Sequence, residues 1–141
     1  MGLALLALLL TGCGGEAEVD PQLIANDGPL ATVQRHLMPE SYWRNKVETL
    51  AADLETAQKQ WTDLRRDYTG QLARRREAIR QGQVAAKASG QDPRQARQKA
   101  IATDRKTVNA LRNRCQKAAD QVRNQMKLLK QAQNALMDTL W

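Results

Sequence analysis

The residues predict an all-α fold: a long antiparallel two-helix coiled-coil hairpin with a short N-terminal helix packed near its base. Apolar side chains recur every three or four positions over two stretches of forty-odd residues, the period of a helix seam. A compact breaker, Ser89-Gly90-Gln91-Asp92-Pro93, separates the two stretches. The stretches also match in reverse, so that facing residues have position numbers summing to 179 or 180 along the whole length. Aromatics make up 4% of the 141 residues and Phe is missing, which suits narrow seams better than a thick core.

The first element is not part of the hairpin. Leu3 to Leu10 form an apolar run far shorter than the roughly 20 residues needed to span a bilayer, but of a length that fits a signal-peptide core. The run Leu10-Thr11-Gly12-Cys13 resembles the lipobox of bacterial lipoproteins: an aliphatic residue, two small ones, then cysteine. That resemblance implies a signal peptide over 1–12 and cleavage before Cys13. It also implies a diacylglycerol thioether on Cys13 and a fatty acid on the new amino terminus. These are covalent groups, and no separable cofactor is expected. Residue 14 is Gly rather than Asp, which by resemblance to proteobacterial sorting implies the outer membrane, facing the periplasm. Residues 13–28 are expected to be a lipidated flexible tether, because Gly14 to Gln22 lack any apolar period.

Leu30, Val33 and Leu37 recur at helical spacing between Pro29 and Pro39 and predict a short helix over about 29–38. Arm one follows over about 41–88. Its seam is Trp43, Val47, Leu50, Leu54, Ala57, Trp61, Leu64, Tyr68, Leu72 and Ile79. The turn spans about 89–92, where Gly90 suits a helix stop, Asp92 an N-cap and Pro93 a first helical position. Arm two covers about 93–140, with Ile101, Val108, Leu111, Cys115, Ala119, Val122, Met126, Leu129, Gln133, Leu136 and Leu140 in its seam.

The reverse match pairs Ile79 with Ile101, Leu72 with Val108, Tyr68 with Leu111 and Leu64 with Cys115. It continues with Trp61 and Ala119, Leu54 and Met126, Leu50 and Leu129, and Trp43 and Leu136. Both arms slip from heptad spacing at overlapping heights, at Leu64-Tyr68-Leu72 and Leu111-Cys115-Ala119. The bulkiest seam residue, Trp61, faces the small Ala119. Arg76 falls opposite Asp104 and predicts a polar pair near the far end. Two separate oligomerising helices are the alternative to the hairpin.

At 1.5 Å per residue the arms make a rod of roughly 70 Å. Two helices bury little, so a third layer is expected somewhere. Leu128, Ala132 and Ala135 form a second apolar stripe, which the Leu30-Val33-Leu37 helix is expected to cover. The alternative is that the stripe pairs two hairpins into a homodimer. Tyr42, Trp43 and Trp141 are expected to cluster at this base.

Charge divides along the rod. Between Arg65 and Lys117 there are fifteen basic and four acidic residues, a net of +11; the remainder holds seven basic and eleven acidic, a net of −4. Arg74, Arg75, Arg76, Arg80, Lys87, Arg94, Arg97 and Lys99 are the candidate anion- or partner-binding residues at the tip. The alternative is a solvated helix surface whose arginine stems cover a thin core.

Catalytic and metal signatures are missing from the sequence. His36 is the one histidine, and no CxxC pair, phosphate loop or nucleophile elbow occurs. A metal centre and an enzyme are therefore not expected. Cys115 reads either as a small apolar seam residue or as a thiol able to pair between chains.

The function expected is a non-catalytic, membrane-anchored envelope tether or adaptor. It would present its basic tip to peptidoglycan or to a periplasmic protein assembly. In architecture this resembles the helical lipoproteins that link outer membrane to peptidoglycan. Those end in a lysine used for covalent attachment, whereas this sequence ends Thr139-Leu140-Trp141, so non-covalent wall contact is expected. The alternatives are an accessory or pilotin-like lipoprotein of a secretion, conjugation or pilus system, or a spanin-like phage lysis lipoprotein. An exposed base stripe would favour the pilotin-like alternative, and a covered stripe the tether. Nucleic-acid binding fits the charge but conflicts with export.

Overall fold

A computed structural model of the chain describes residues 19–141. The signal peptide expected over 1–12, Cys13 and the first part of the expected tether, through residue 18, lie outside the described residues. Every element among those described is helical: α1 (Pro21–Ile24), α2 (Pro29–Leu37), α3 (Pro39–Ala88) and α4 (Pro93–Thr139). Each helix opens on a proline at its first position, where the missing N–H leaves no hydrogen bond unmade.

The long helices α3 and α4 pack against each other as the antiparallel hairpin. Its turn is built from three local interactions. Gly90 takes φ +71°, a conformation open to glycine without a Cβ clash. Gln91 N–H then donates to the Ala86 carbonyl at 2.8 Å and Gly90 N–H to that of Lys87 at 3.4 Å, the paired bonds of a Schellman stop. Asp92 accepts from the Arg94 N–H at 2.8 Å and starts α4.

Near the turn, a Cβ added at Gly82 would lie 3.8 Å from the Ala96 Cβ, so two small residues let the arms approach. Gly70 has open space around it and answers no steric need.

Most predicted seam positions are buried or half-buried. Trp43, Leu50, Ala57 and Val108 are buried, while Leu54, Trp61, Leu64, Tyr68, Leu72, Ile79, Ile101, Leu111, Cys115, Val122, Leu129 and Leu136 are half-buried. Half-burial is what two unaccompanied helices allow.

Three seam assignments need correction. Met126 is 53% exposed, because α4 steps three residues from Val122 to Gln125 and leaves Met126 about 100° further round the helix. Gln133 and Leu140 are exposed as well. The polar pair is made by Arg75, one residue before the predicted Arg76. The α3 seam runs Leu72, Arg75, Ile79 in steps of three and four, which turns Arg76 to solvent.

The third layer exists, but a different segment supplies it. Residues 19–24, assigned to the tether from sequence, fold against the hairpin base. Leu23 of α1 is 2% exposed and clusters with Tyr42, Trp43, Leu50, Leu128 and Ala132, of which Ala132 is fully buried. The Leu128-Ala132-Ala135 stripe is thus covered by α1 and Val19 rather than by α2. Instead α2 packs on α3 and leaves Leu30 80% and Leu37 75% exposed. Tyr42 and Trp43 meet edge to face with centroids 4.8 Å apart. Trp141, expected beside them, lies past the end of α4 and is 99% exposed.

Three substitutions check this packing by urea unfolding. Leu50→Ala should cost about 2–4 kcal/mol, and Leu30→Ala should stay within about 0.5 kcal/mol. Gly70→Ala should stabilise by about 0.5–1 kcal/mol, because the added methyl meets nothing and the helix gains propensity.

Candidate functional site

The charged side chains are organised differently at the two poles. At the base, carboxylates hold the N-terminal segment down. Asp20 caps α1 through the Gln22 N–H at 3.0 Å and accepts from Lys127 at 3.1 Å and Gln131 at 3.4 Å on α4. Asp27, in the loop between α1 and α2, accepts from the Tyr42 hydroxyl and from Lys46 Nζ at 3.0 Å. Its side chain is 8% exposed.

Burial works against the charge of Asp27. The bonds from Tyr42 and Lys46 more than offset it and hold the carboxyl below its ordinary value. Burial first, and then donation to Asp27, push the Tyr42 hydroxyl well above its usual range. It therefore stays protonated and remains the donor. The bond from the Gln22 N–H, followed by that from Lys127, depresses Asp20. Together these contacts fix residue 19 at the base, beside α4 and far from the turn.

The tip is the opposite case. Of the seven basic residues outside 65–117, four (Arg44, Lys46, Arg123 and Lys127) hold carboxylates. Of the fifteen within it, only Arg66, Arg75 and Arg80 do, which leaves twelve without an ion-pair partner among the described residues.

The eight candidate residues therefore divide. Arg75 is committed to the structure: its Nε donates to both Asp104 oxygens at 2.8 and 3.0 Å, with a guanidinium nitrogen 2.7 Å from Oδ1. This bond holds the Asp104 carboxyl below its ordinary value and raises Arg75. Arg80 chelates Glu77 at 2.7 and 2.9 Å on its own helix. Arg74, Arg76, Lys87, Arg94, Arg97 and Lys99 are exposed and unpaired. Arg65, outside the eight, lies 5.4 Å over the Trp61 ring.

A groove of about 250 Å³ runs between the arms here, lined by Gln71, Arg74, Arg75, Ala78, Ala100, Thr103 and Asp104. Two more depressions lie at the base: about 170 Å³ beside Asp20 and Leu23, and a wide one of about 540 Å³ from Met38 to Thr139. Deep ligand pockets enclose their occupants; these are open surface features. Such a tip can attract carboxylates or phosphates over an extended face.

Among the described residues no three His, Cys, Asp or Glu side chains group as a metal site. No described helix is long and apolar enough to cross a membrane. Neither a protein-family model, a characterised protein nor a solved structure matches the chain.

The residues that sequence reasoning missed are Leu23, Asp20 and Asp27. Asp20-Pro21 did carry a signal, an N-cap followed by a first-turn proline, but the helix is too short to show a period.

The depressed carboxylates predict acid release of the base. A group whose folded value lies below its unfolded one contributes stability that is complete above the unfolded value, here 3.8, and lost as pH falls through the folded value. Near-ultraviolet circular dichroism from Tyr42 and Trp43 should hold steady down to about pH 5 and collapse below 3.8. Asp27→Asn should remove part of that acid transition.

Proposed function

We infer that this chain is a lipid-anchored, non-catalytic envelope adaptor. Its base is held at a membrane through Cys13, and its cation-rich tip is offered to an anionic partner, with peptidoglycan the best match. The observation that carries the inference is polarity. The segment leading back to Cys13 is pinned at the base by Leu23, Asp20 and Asp27, while the unpaired cations gather at the other end of helices 50 and 47 residues long. At 1.5 Å per residue the two poles stand roughly 70 Å apart.

Further support comes from the covered base stripe. Leu23 covers Leu128 and Ala132, so that stripe itself is not open to a pilotin-like contact or to a stripe-paired dimer. The exposed arginines suit carboxylate recognition through their planar forks. Peptidoglycan peptides supply carboxylates at the distance a rod of this length reaches. The outer membrane is the anchoring surface that Gly14 favours.

Two measurements test this. Metabolic labelling with a fatty acid should mark the wild type and not Cys13→Ser; no label on the wild type would remove the anchor. Purified sacculi should pellet the protein in a salt-sensitive manner. Reversing Arg74, Arg76 and Arg97 to Glu should weaken that association by about threefold to a hundredfold, at the roughly 0.2–1 kcal/mol expected of each exposed pair. Binding indifferent to both salt and charge reversal would refute the cationic tip.

A further inference from the structure

The α2 helix presents an apolar face that no described residue covers. Leu30, Val33 and Leu37, at spacings of three and four, are all exposed, and Met38 continues the patch. The depression running from Met38 and Pro39 to Thr139 brings the end of α4 beside the C-terminal end of α2. Trp141, two residues past Thr139, is almost completely exposed, and Leu140 is half-exposed. Every one of these residues lies at the base, and the basic side chains Arg35 and His36 fall in the last turn of the same helix.

We propose that this face is a membrane-docking surface: the apolar side of α2, with Trp141, rests in the headgroup–acyl boundary of the bilayer that holds Cys13. The proposal depends on the lipid anchor inferred above, and tether length selects the occupant. Cys13 to Val19 is six residue steps, no more than about 20 Å when fully extended, and Val19 packs on the base cluster. A lipid chain on Cys13 thus keeps Val19 within that distance of the bilayer and brings the base cluster it packs on to the membrane side. An amphipathic helix with its apolar residues turned outward and basic groups at its end is the kind that lies in a membrane interface, and tryptophan favours the same depth.

The test uses the full lipidated protein in vesicles of phosphatidylethanolamine and phosphatidylglycerol that carry brominated acyl chains, with mass spectrometry reporting the Cys13 adduct. Trp141 emission, taken as the difference between wild type and Trp141→Phe, should be quenched. Leu30→Asp with Leu37→Asp should lose that quenching while keeping the adduct and the helical circular dichroism. An intact adduct with unquenched Trp141 overturns the docking face and leaves the anchor standing. Quenching that survives the double substitution overturns the role of α2. Concentration-dependent dimerisation of the Cys13→Ser chain, abolished by the same substitutions, would assign the face to a second copy and overturn the proposal. Should no adduct form, the anchor falls, and the docking face that depends on it falls with it.

Discussion

Two helices alone cannot bury their own seam, and that shortage governs this molecule. Along most of α3 and α4 the facing residues are only half-covered, and one region escapes the shortage: the base, where α1 adds a third layer. Leu23 enters between Trp43 and Ala132, and burial of such apolar side chains, each worth about 1.5–3 kcal/mol, concentrates stability there. The rest of the rod relies on length, helix propensity and the stop at Gly90. A firm end and a lightly packed end follow directly.

Electrostatics repeats this division. At the base, Asp20 and Asp27 each accept two or more hydrogen bonds and tie the N-terminal segment to both long helices. At the tip, cations outnumber carboxylates, and Asp104 is spent on holding Arg75 within the seam. Among the described residues this is the one ion pair between the long helices, and it ties their register at that level. Apart from Arg66 and Arg80, the remaining arginines and lysines there have no ion-pair partner among the described residues.

Much of this was legible in the sequence, for reasons that can be stated residue by residue. The hairpin followed from two long periodic seams that match in reverse, and the stop from Gly90 and Asp92-Pro93. Long repeats average out local exceptions. What could not be read was the partnering of short segments. Nothing in Leu30-Val33-Leu37 distinguishes a helix covering a stripe from one leaving its apolar face exposed, and the four residues of α1 are too few for any period. The Arg75–Asp104 pair was found one residue out, because a sum of positions locates a facing level but not the side on which a long arginine reaches across. The candidate tip was legible as an excess of charge. Which of its members are free, and which are engaged as Arg75 and Arg80 are, depended on side-chain geometry.

The central claim is that one end of the rod is tied to lipid and the other is held away from it. Energy transfer from a fluorophore at position 90 to acceptors in the bilayer surface measures this directly on the lipidated protein. The account predicts a separation of roughly 70 Å and hence almost no transfer, while a fluorophore at position 38 transfers strongly. Strong transfer from position 90 would mean that the tip lies on the membrane, and would contradict it.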